Sequence, residues 1–478
     1  MTPILDDSGR PDPARRKFLQ KLAASSTLAT GWPQTVMALS GAPEADVVFL
    51  EASHKDFARH REIFNKRITV TPAVIAVCSS ESGVRKAVIQ ARSRGLPIAI
   101  KSGGHSFEGF SLNEGGMVID LSLMDKLELL AGYRLRADPG CRLAQVYDFL
   151  LPRSRLLPAG SCGGVGLAGL TLGGGYGMFS RKFGLTCDNL MRVRLVDGRG
   201  ALHDSRDEPE ILWACRGGGN AGLGVVIQLQ YTTHPAPNSL HSFRYRYRIG
   251  TAEDAVAVAA KWFSLMQDLP AEAYSALVAN GNTVTILVAT FLPGARNGLI
   301  AALLAKLAAN ATKVEPPVGQ PLAAAARRYY GQKGPIFFKN ASGGFYQGWN
   351  DIRSAAPALF EAVLEQPGII FQVNTFGPLP DAPNSAFPHR EFAFIGELQA
   401  YWQEPSQGER RMATISRLQN LLTQHGIRAH YANYPDIEIK DWAEAYYGPR
   451  NYPRLQAVKR RLDPDDVFRH PQSIQLPA

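Results

Sequence analysis

Cysteine is sparse in this chain of 478 residues, and the five present, at 78, 141, 162, 187 and 215, have no metal-ligand spacing. A structural zinc site of the Cys/His type is therefore not expected, and neither is any other metal. The odd count leaves at least one cysteine unpaired within the chain, and Cys78, in an apolar strand-like run, reads as a buried small residue. Internal repeats and low-complexity tracts are absent, which argues against a solenoid or a long linker. The basic residues carry the formal charge to +10 but are scattered, with no arginine–aromatic stripe. The charge thus reads mainly as solubility, with no nucleic-acid partner expected.

Glycine, in contrast, is abundant and clustered: 45 in all, grouped at 103–104, 160–177 and 217–224. Clustering of this kind suggests backbone held close to a ligand. A composition of 45% hydrophobic and 20% charged residues is that of an ordinary globular protein with a sizeable core. The segment "ARRKFLQKLAASSTLATGW" pairs Arg15 with Arg16, follows them with Phe18 and Leu19, and continues into a weakly apolar stretch. That stretch is too short and too polar to span a bilayer, so no stable membrane insertion is expected. It resembles a twin-arginine export signal over residues 1–42, with cleavage near Ser40 to Ala42, against the alternative of a basic tail. An exported protein, periplasmic or secreted, is expected. The twin-arginine route carries folded proteins and suits one that takes up a cofactor before export.

Along the chain, "PAVIAV" at 72–77 reads as a buried strand, and the following segment as a helix capped by Ser80, with Val84, Ala87, Val88 and Ala91 on one face and Gly95 at its end. "LPIAIK" is a second strand, which makes a βαβ unit and puts His105 in the loop that leaves it. "MVIDLS", "YRLRAD", "MRVRLV" and "GVVIQLQY" read as further strands and "LAQVYDFLL" as a helix. Composition shifts near Pro235. From about 240 to 434, strands ("SALVAN", "TVTILVATF", "EFAFIGELQAYW") alternate with helices over 252–268, 295–308, 351–365 and 406–425, which reads as an antiparallel sheet backed by helices. The C-terminal stretch reads as one short helix with Pro453 near its start and Asp463–Pro464 as its stop, folding back onto the first domain.

His105 in "KSGGHS" and Cys162 in "GSCGGVG" both stand among glycines. A Cys–His nucleophile pair is one reading, though no orienting or oxyanion residue is evident. A tether for a flat, anionic cofactor is another, because amides in glycine turns cradle a pyrophosphate and glycines let a ring system lie against the chain. Nicotinamide dinucleotide binding would need a strand, glycines, a helix and then an acidic residue about twenty positions on. No segment fits that pattern well.

"KSGGHS", "GSCGGVGLAGLTLGGGYG" with "GLTCDNL", "WACRGGG", "FPHR", "YANYPD" and "YYGPRNYPRLQAVKRRLDPDDVFRHPQSI" occur in that order over about residues 50–478. Together they resemble a berberine-bridge-enzyme-like FAD-linked oxidase of the vanillyl-alcohol-oxidase superfamily. The resemblance implies an α+β fold of two domains: a PCMH-type FAD-binding domain over 43–236, an inserted α+β substrate domain over 237–434, and a berberine-bridge-type segment over 435–478 that returns to the first. It implies FAD bonded through His105 at the 8α-methyl and through Cys162 at C6. It also assigns Lys101, Ser102, Gly103, Gly104 and Ser106 to the pyrophosphate and ring edge. Gly160, Ser161, Val165, Gly166, Gly169, Gly174, Tyr176 and Gly177 would line the cofactor, Val226 would sit near the adenine, and Asn451 and Tyr452 would close over the flavin.

The same resemblance implies oxidation of an alcohol, of sugar or aromatic type, by hydride transfer to the flavin. Glu397 falls where relatives carry a glutamine or a catalytic glutamate; on a strand it shares a face with Ile395 and Gln399, and desolvation there would raise its pKa. Tyr434 is the second candidate base and Tyr431 a wall. Val165, third after the cysteine, is the residue that accompanies reoxidation by O2, so a monomeric oxidase is expected; a dehydrogenase passing electrons to a quinone-like acceptor, or a non-catalytic secreted flavoprotein, is the alternative. The aromatics Phe345, Tyr346, Trp349 and Trp402 would suit stacking on a substrate ring. Three departures stand out: Gly163–Gly164 where the family usually has Pro-Thr, Leu170 where it often has histidine, and a longer third turn, "GGGNAGLG".

Overall fold

The computed structural model describes residues 45–218, 222–292, 298–332, 334–382 and 384–477. Arg15, Arg16 and the expected cleavage region therefore lie outside the described residues, as does the centre of the third glycine turn, 219–221.

Four strands make the first sheet, β1 (Val47–Leu50), β2 (Val74–Cys78), β3 (Ile98–Lys101) and β4 (Met117–Asp120), in the order β1-β2-β4-β3. Helix α1 (Glu81–Ser93) joins β2 to β3. Its N-cap is Ser80, whose Oγ accepts from the Gly83 amide at 3.1 Å, and Val84, Ala87, Val88 and Ala91 are buried. The βαβ unit differs from the expectation in one respect. Its two strands do not pair with each other: β4 lies between them and is parallel to both.

A second sheet has the order β5-β6-β10-β8-β9, from β5 (Leu127–Leu130), β6 (Arg134–Ala137), β8 (Leu190–Val196), β9 (Leu202–Asp204) and β10 (Val225–Thr232); β7 (Arg155–Leu156) and β11 (His234–Pro235) form a short separate ribbon. Helices α2 (Leu143–Leu150) and α3 (Leu167–Leu172) flank the loop that carries Cys162.

The third sheet is the largest, with seven strands: β12 (Ser239–Arg248), β13 (Ala273–Asn280), β14 (Thr283–Thr290), β15 (Lys313–Pro321), β16 (Phe337–Tyr346), β17 (Ile369–Thr375) and β18 (Phe394–Trp402), in the order β15-β12-β14-β13-β17-β18-β16. Neighbouring strands are antiparallel. Helices α4 (Ala252–Met266), α5 (Ala356–Glu365) and α6 (Gly408–Gln424) back one face. Leu277, Val373 and Leu398 of the sheet pack there with Trp262, Phe263, Leu359, Phe360 and Leu418. Each large side chain so buried contributes about 1.5–3 kcal/mol, which is ample to hold the sheet to its helices. The helix expected over 351–365 is two pieces, Trp349–Ile352 and α5, because Pro357 suits the first turn of a new helix and not the interior of one.

The C-terminal helix α7 (Trp442–Leu462) begins eleven residues before Pro453, which was expected near its start, and is broken at Gly448, which lies in the left-handed region at φ 72°. Asp463 stops it by accepting from the Val467 and Phe468 amides, and the Ile98 amide then bonds to the Val467 carbonyl at 2.7 Å. The chain end thus joins the first sheet beside β3, the strand that leads to His105. The fold class is α+β.

Candidate active site

The loop after β3 is tied down at both ends. The Lys101 ammonium bonds to Asp120 at 3.1 Å and to the His60 carbonyl, so its side chain points into the protein, and its carbonyl accepts from the Leu121 amide at 2.9 Å. Ser102 Oγ donates to the Pro139 carbonyl at 2.6 Å, and Ser106 Oγ accepts from the Phe110 amide at 3.0 Å. Between them, Gly103 runs so close to the neighbouring loop that a Cβ would stand 2.3 Å from the Gly166 nitrogen. Two loops can abut this tightly only because neither carries a side chain at the crossing.

That contact brings His105 against the Cys162 loop. A Cβ on Gly164 would lie 2.7 Å from His105 Nε2, so any side chain here would require the imidazole to shift. His105 is stacked on Phe64 with centroids 4.2 Å apart. Burial, and secondarily the Arg142 charge, pushes its pKa down to about 4. The ring is therefore neutral at physiological pH and keeps a nitrogen lone pair for bonding. Cys162 is half-buried; burial raises its pKa, while the Gly164 and Val165 amides oppose the rise. Amides facing a sulfur favour the thiolate, the nucleophilic form.

The other expected cofactor residues spread outward from this crossing. Gly160 and Val165 are half-buried on the Cys162 loop and Ser161 is exposed. On α3, Gly169 faces space, since a Cβ there would meet nothing within 4 Å. Gly174 has φ 120°, and Gly177 backs onto Ala159. Val226 is buried in β10. Asn451 donates to the Ala386 carbonyl at 3.0 Å, and Tyr452 stacks near Tyr447 with centroids 6.2 Å apart. Crossed glycine loops carrying a neutral imidazole and a thiol fit a flat flavin and two attachment atoms.

The third sheet presents polar and titratable side chains, Glu397 among them, from the face its helices leave uncovered. Strand alternation puts Glu397, Gln399 and Tyr401 on one side of β18 and Leu398, Ala400 and Trp402 on the other. Register places Gln372 of β17 and Ser342 of β16 beside Glu397. Asn340 Nδ2 donates to Glu397 Oε1 at 3.1 Å and to the Tyr401 hydroxyl at 2.8 Å. Burial pushes the Glu397 pKa up to about 7, against hydrogen bonding from Gln399, Asn340 and Tyr434. A carboxyl poised near neutrality is suited to take a proton.

Tyr434 and Tyr176 share a hydrogen bond of 2.7 Å, and Asn374 Nδ2 donates to Tyr176 at 3.2 Å. Burial, with the Glu397 charge second, holds the Tyr434 hydroxyl well above its ordinary range, so it stays protonated. The Tyr431 hydroxyl accepts from the Gly175 amide at 2.9 Å and from Asn433 at 3.0 Å, which leaves its ring as a wall. The structure therefore brings Glu397, Tyr434 and Tyr176 together, with Tyr431 behind them.

Asn340, Gln372, Asn374, Tyr274 and Tyr401 belong to this polar face and escaped the sequence reading. Their signal was alternation, as in "IIFQVNT", where Gln372 and Asn374 interrupt an apolar strand at a spacing of two. Of the aromatics expected to meet a substrate, Tyr346, Trp349 and Trp402 pack instead with the helix-covered core, and Phe345 packs in the cluster with Phe376, Phe387 and Tyr431. For Trp402 the reason is strand parity: it is an odd number of residues from Glu397 and so points to the other face.

Residues 72–206 match the family described as FAD binding domain, and residues 430–475 match the family described as berberine and berberine like. A chitooligosaccharide oxidase of Gibberella zeae is 30% identical over 456 residues, covering 87% of this chain and 89% of its own. An aclacinomycin-N/aclacinomycin-A oxidase of Streptomyces galilaeus is 28% identical over 547 residues, covering 97% and 98%. Among solved structures, aclacinomycin oxidoreductase superposes with a TM-score of 0.82 at 25% identity over 91% of this chain and 100% of its own. BBE-like 1 of Physcomitrella patens superposes with a TM-score of 0.82 at 24% identity over 90% and 97%. The full-length match to these oxidases, the two family segments and the crossed loops over a polar sheet lead to one conclusion: the chain belongs to the berberine-bridge-enzyme-like FAD-linked oxidoreductases.

Proposed function

We propose that this protein is an exported oxidase that removes a hydride from an alcohol of a sugar or an aromatic secondary metabolite, with FAD held covalently by His105 and Cys162. One observation carries the reading: a buried carboxyl, Glu397, with its pKa pushed up to about 7, hydrogen-bonded within a tyrosine–amide cluster. The chemistry supplied by bound FAD is hydride acceptance and return of the electrons to dioxygen as hydrogen peroxide.

The chain's own residues do the rest. Glu397 takes the hydroxyl proton as the C–H bond breaks. Asn340 holds the Glu397 carboxylate by its Oε1, and Tyr434, kept protonated, donates toward the same cluster. His105 and Cys162 offer a nitrogen and a sulfur for attachment, and Lys101, Ser102, Gly103, Gly104 and Ser106, with Gly160, Ser161, Val165, Gly166, Gly169, Gly174, Tyr176 and Gly177, line the cofactor. Val165 on the Cys162 loop is one methylene smaller than leucine and would leave room for dioxygen beside the ring. In this reading the functional divisions are 1–42 for export, 43–236 for FAD, 237–434 for substrate and 435–478 for closure. The molecule acts as a monomer. The names of the related chitooligosaccharide and aclacinomycin oxidases support the substrate classes.

The test combines two measurements on purified protein. A panel of oligosaccharides and aromatic alcohols is screened by peroxide release, and flavin is assayed in pellet and supernatant after acid precipitation. The expected result is peroxide with at least one alcohol and yellow colour in the pellet, moving to the supernatant only in the His105→Ala/Cys162→Ala double variant. Flavin released entirely from wild-type protein would overturn covalent attachment. Reduction by an alcohol with electrons leaving only to a quinone or dye would overturn the oxidase assignment.

A further inference from the structure

Gly163 has a partner that a proline could not have. Its amide donates to the Tyr330 carbonyl at 3.0 Å, and its own carbonyl accepts from Ala144 of α2 at 3.0 Å. A Cβ at Gly163 would stand 2.9 Å from Cγ of the Tyr330 ring. The ring therefore lies directly on the bare backbone beside Cys162. The next residue, Gly331, has φ 75°, and a Cβ on it would be 3.8 Å from Cys162 Sγ. The turn at 330–331 thus packs against the loop on one side and the sulfur on another.

That turn is itself held. Tyr330 OH donates to Asp148 Oδ1 at 3.3 Å, and Arg327 binds the same oxygen through two nitrogens at 3.0 and 3.1 Å. The Tyr330 and Tyr147 rings lie nearly parallel, at 16°. Residues 327–331 come from the connection between β15 and β16, far in sequence from Cys162, and grip both α2 and the loop that follows it.

We propose that Tyr330 is a positioning residue for Cys162. It replaces by an external clamp the rigidity that a proline would give the loop from within. This inference rests on the reading that Cys162 bonds the flavin. In that bond one S–H and one ring C–H break, one S–C bond forms, and the two hydrogens and two electrons leave on dioxygen as hydrogen peroxide. The clamp's part is to keep the sulfur at one height beside the His105 loop, so that the thiolate spends its time near the ring carbon.

The experiment uses the full-length protein in the His105→Ala background, where Cys162 is the remaining attachment point. Two quantities are read: flavin retained in the acid pellet as a function of time after FAD is added to apoprotein, and the rate of Cys162 alkylation by N-ethylmaleimide in the apoprotein, followed by peptide mass. Tyr330→Phe keeps the ring against Gly163, and Arg327 still ties the turn to Asp148, so it should attach flavin at the parent rate. Tyr330→Ala should attach it at least about fivefold more slowly and should alkylate at least about fivefold faster, by general positioning arguments. Thermal melting of each variant separates a loosened loop from a protein that fails to fold. Equal attachment and equal alkylation in the alanine and phenylalanine variants would overturn the clamp. A His105→Ala parent that retains no flavin would overturn Cys162 attachment instead; in that case the alkylation rates alone decide whether Tyr330 restrains the loop.

Discussion

At Glu397, activity and stability pull in opposite directions. Its pKa is raised from 4.5 to about 7 by burial, so the folded protein prefers the protonated form more than the unfolded chain does. The stability this implies is fully present below the unfolded pKa and is lost as pH rises through about 7. A shift of that size corresponds to about 3 kcal/mol of strain carried by the ionised form at pH 8. The reaction needs that form, because only a carboxylate accepts a proton. Replacing Glu397 by glutamine should therefore slow anaerobic flavin reduction by about a hundredfold or more. It should also remove the rising limb of the rate near pH 7 and raise the melting temperature at pH 8 but not at pH 5. Stopped-flow reduction and thermal scans at the two pH values check this. A pH limb that persists unchanged in the variant would move the role of base away from Glu397.

At the scale of elements, strand β16 is fixed to the cofactor loop by charge as well as by its ladder. The Lys339 ammonium, 4% exposed, lies between Glu108, three residues after His105, and Asp436, two residues after Tyr434, with the latter contact at 2.8 Å. Arg67 completes the group through Glu108 at 2.7 Å. Two cations thus balance two anions where the β3 loop, β16 and the Tyr434 turn meet, and Phe107 stacks on Tyr434 with centroids 5.1 Å apart. Removing Lys339 leaves the buried Asp436 carboxylate without its counter-charge, while Glu108 keeps Arg67. Lys339→Met should accordingly cost about 3–5 kcal/mol, while Arg92→Ala, which breaks an exposed pair with Asp465, should cost about 1 kcal/mol or less. Denaturant midpoints of the two variants make the comparison; equal losses would mean that the buried group does not hold the sheet to the loop.

For the molecule as a whole, the seven-stranded sheet gives one face to helices and presents a polar face opposite, while two smaller sheets carry the rest of the strands apart from a short ribbon. The His105 and Cys162 loops come from outside the seven-stranded sheet, and the C-terminal segment, at Val467, bonds back beside β3. Such a molecule must be complete before its cofactor is secure, which is consistent with export in folded form by the proposed twin-arginine signal. Replacing both Arg15 and Arg16 by lysine should leave flavin-loaded protein in the cytoplasm. Cell fractionation followed by peroxide assay tests this, and wild-type levels of the double variant outside the cytoplasm would rule the route out.

What the sequence determined by itself is local. The Ser80 cap, the apolar face of α1 and the glycines around His105 and Cys162 are patterns within some twenty residues, and short-range sterics and capping decide them whatever the rest of the chain does. Glu397 was singled out by the family resemblance, and its place as a carboxyl on an apolar strand only supported that choice. What only the tertiary structure decided depends on strand order and loop crossing. Asn340 meets Glu397 because β16 pairs with β18 across 57 positions of sequence. Trp402 faces the core because register fixes the parity of β18. Gly163 and Gly164, which in the sequence are only a departure from Pro-Thr, acquire their reason from Tyr330 and His105. Contacts between residues so far apart are set by how whole elements pack, and no periodicity along the chain encodes which partner a bare backbone will meet.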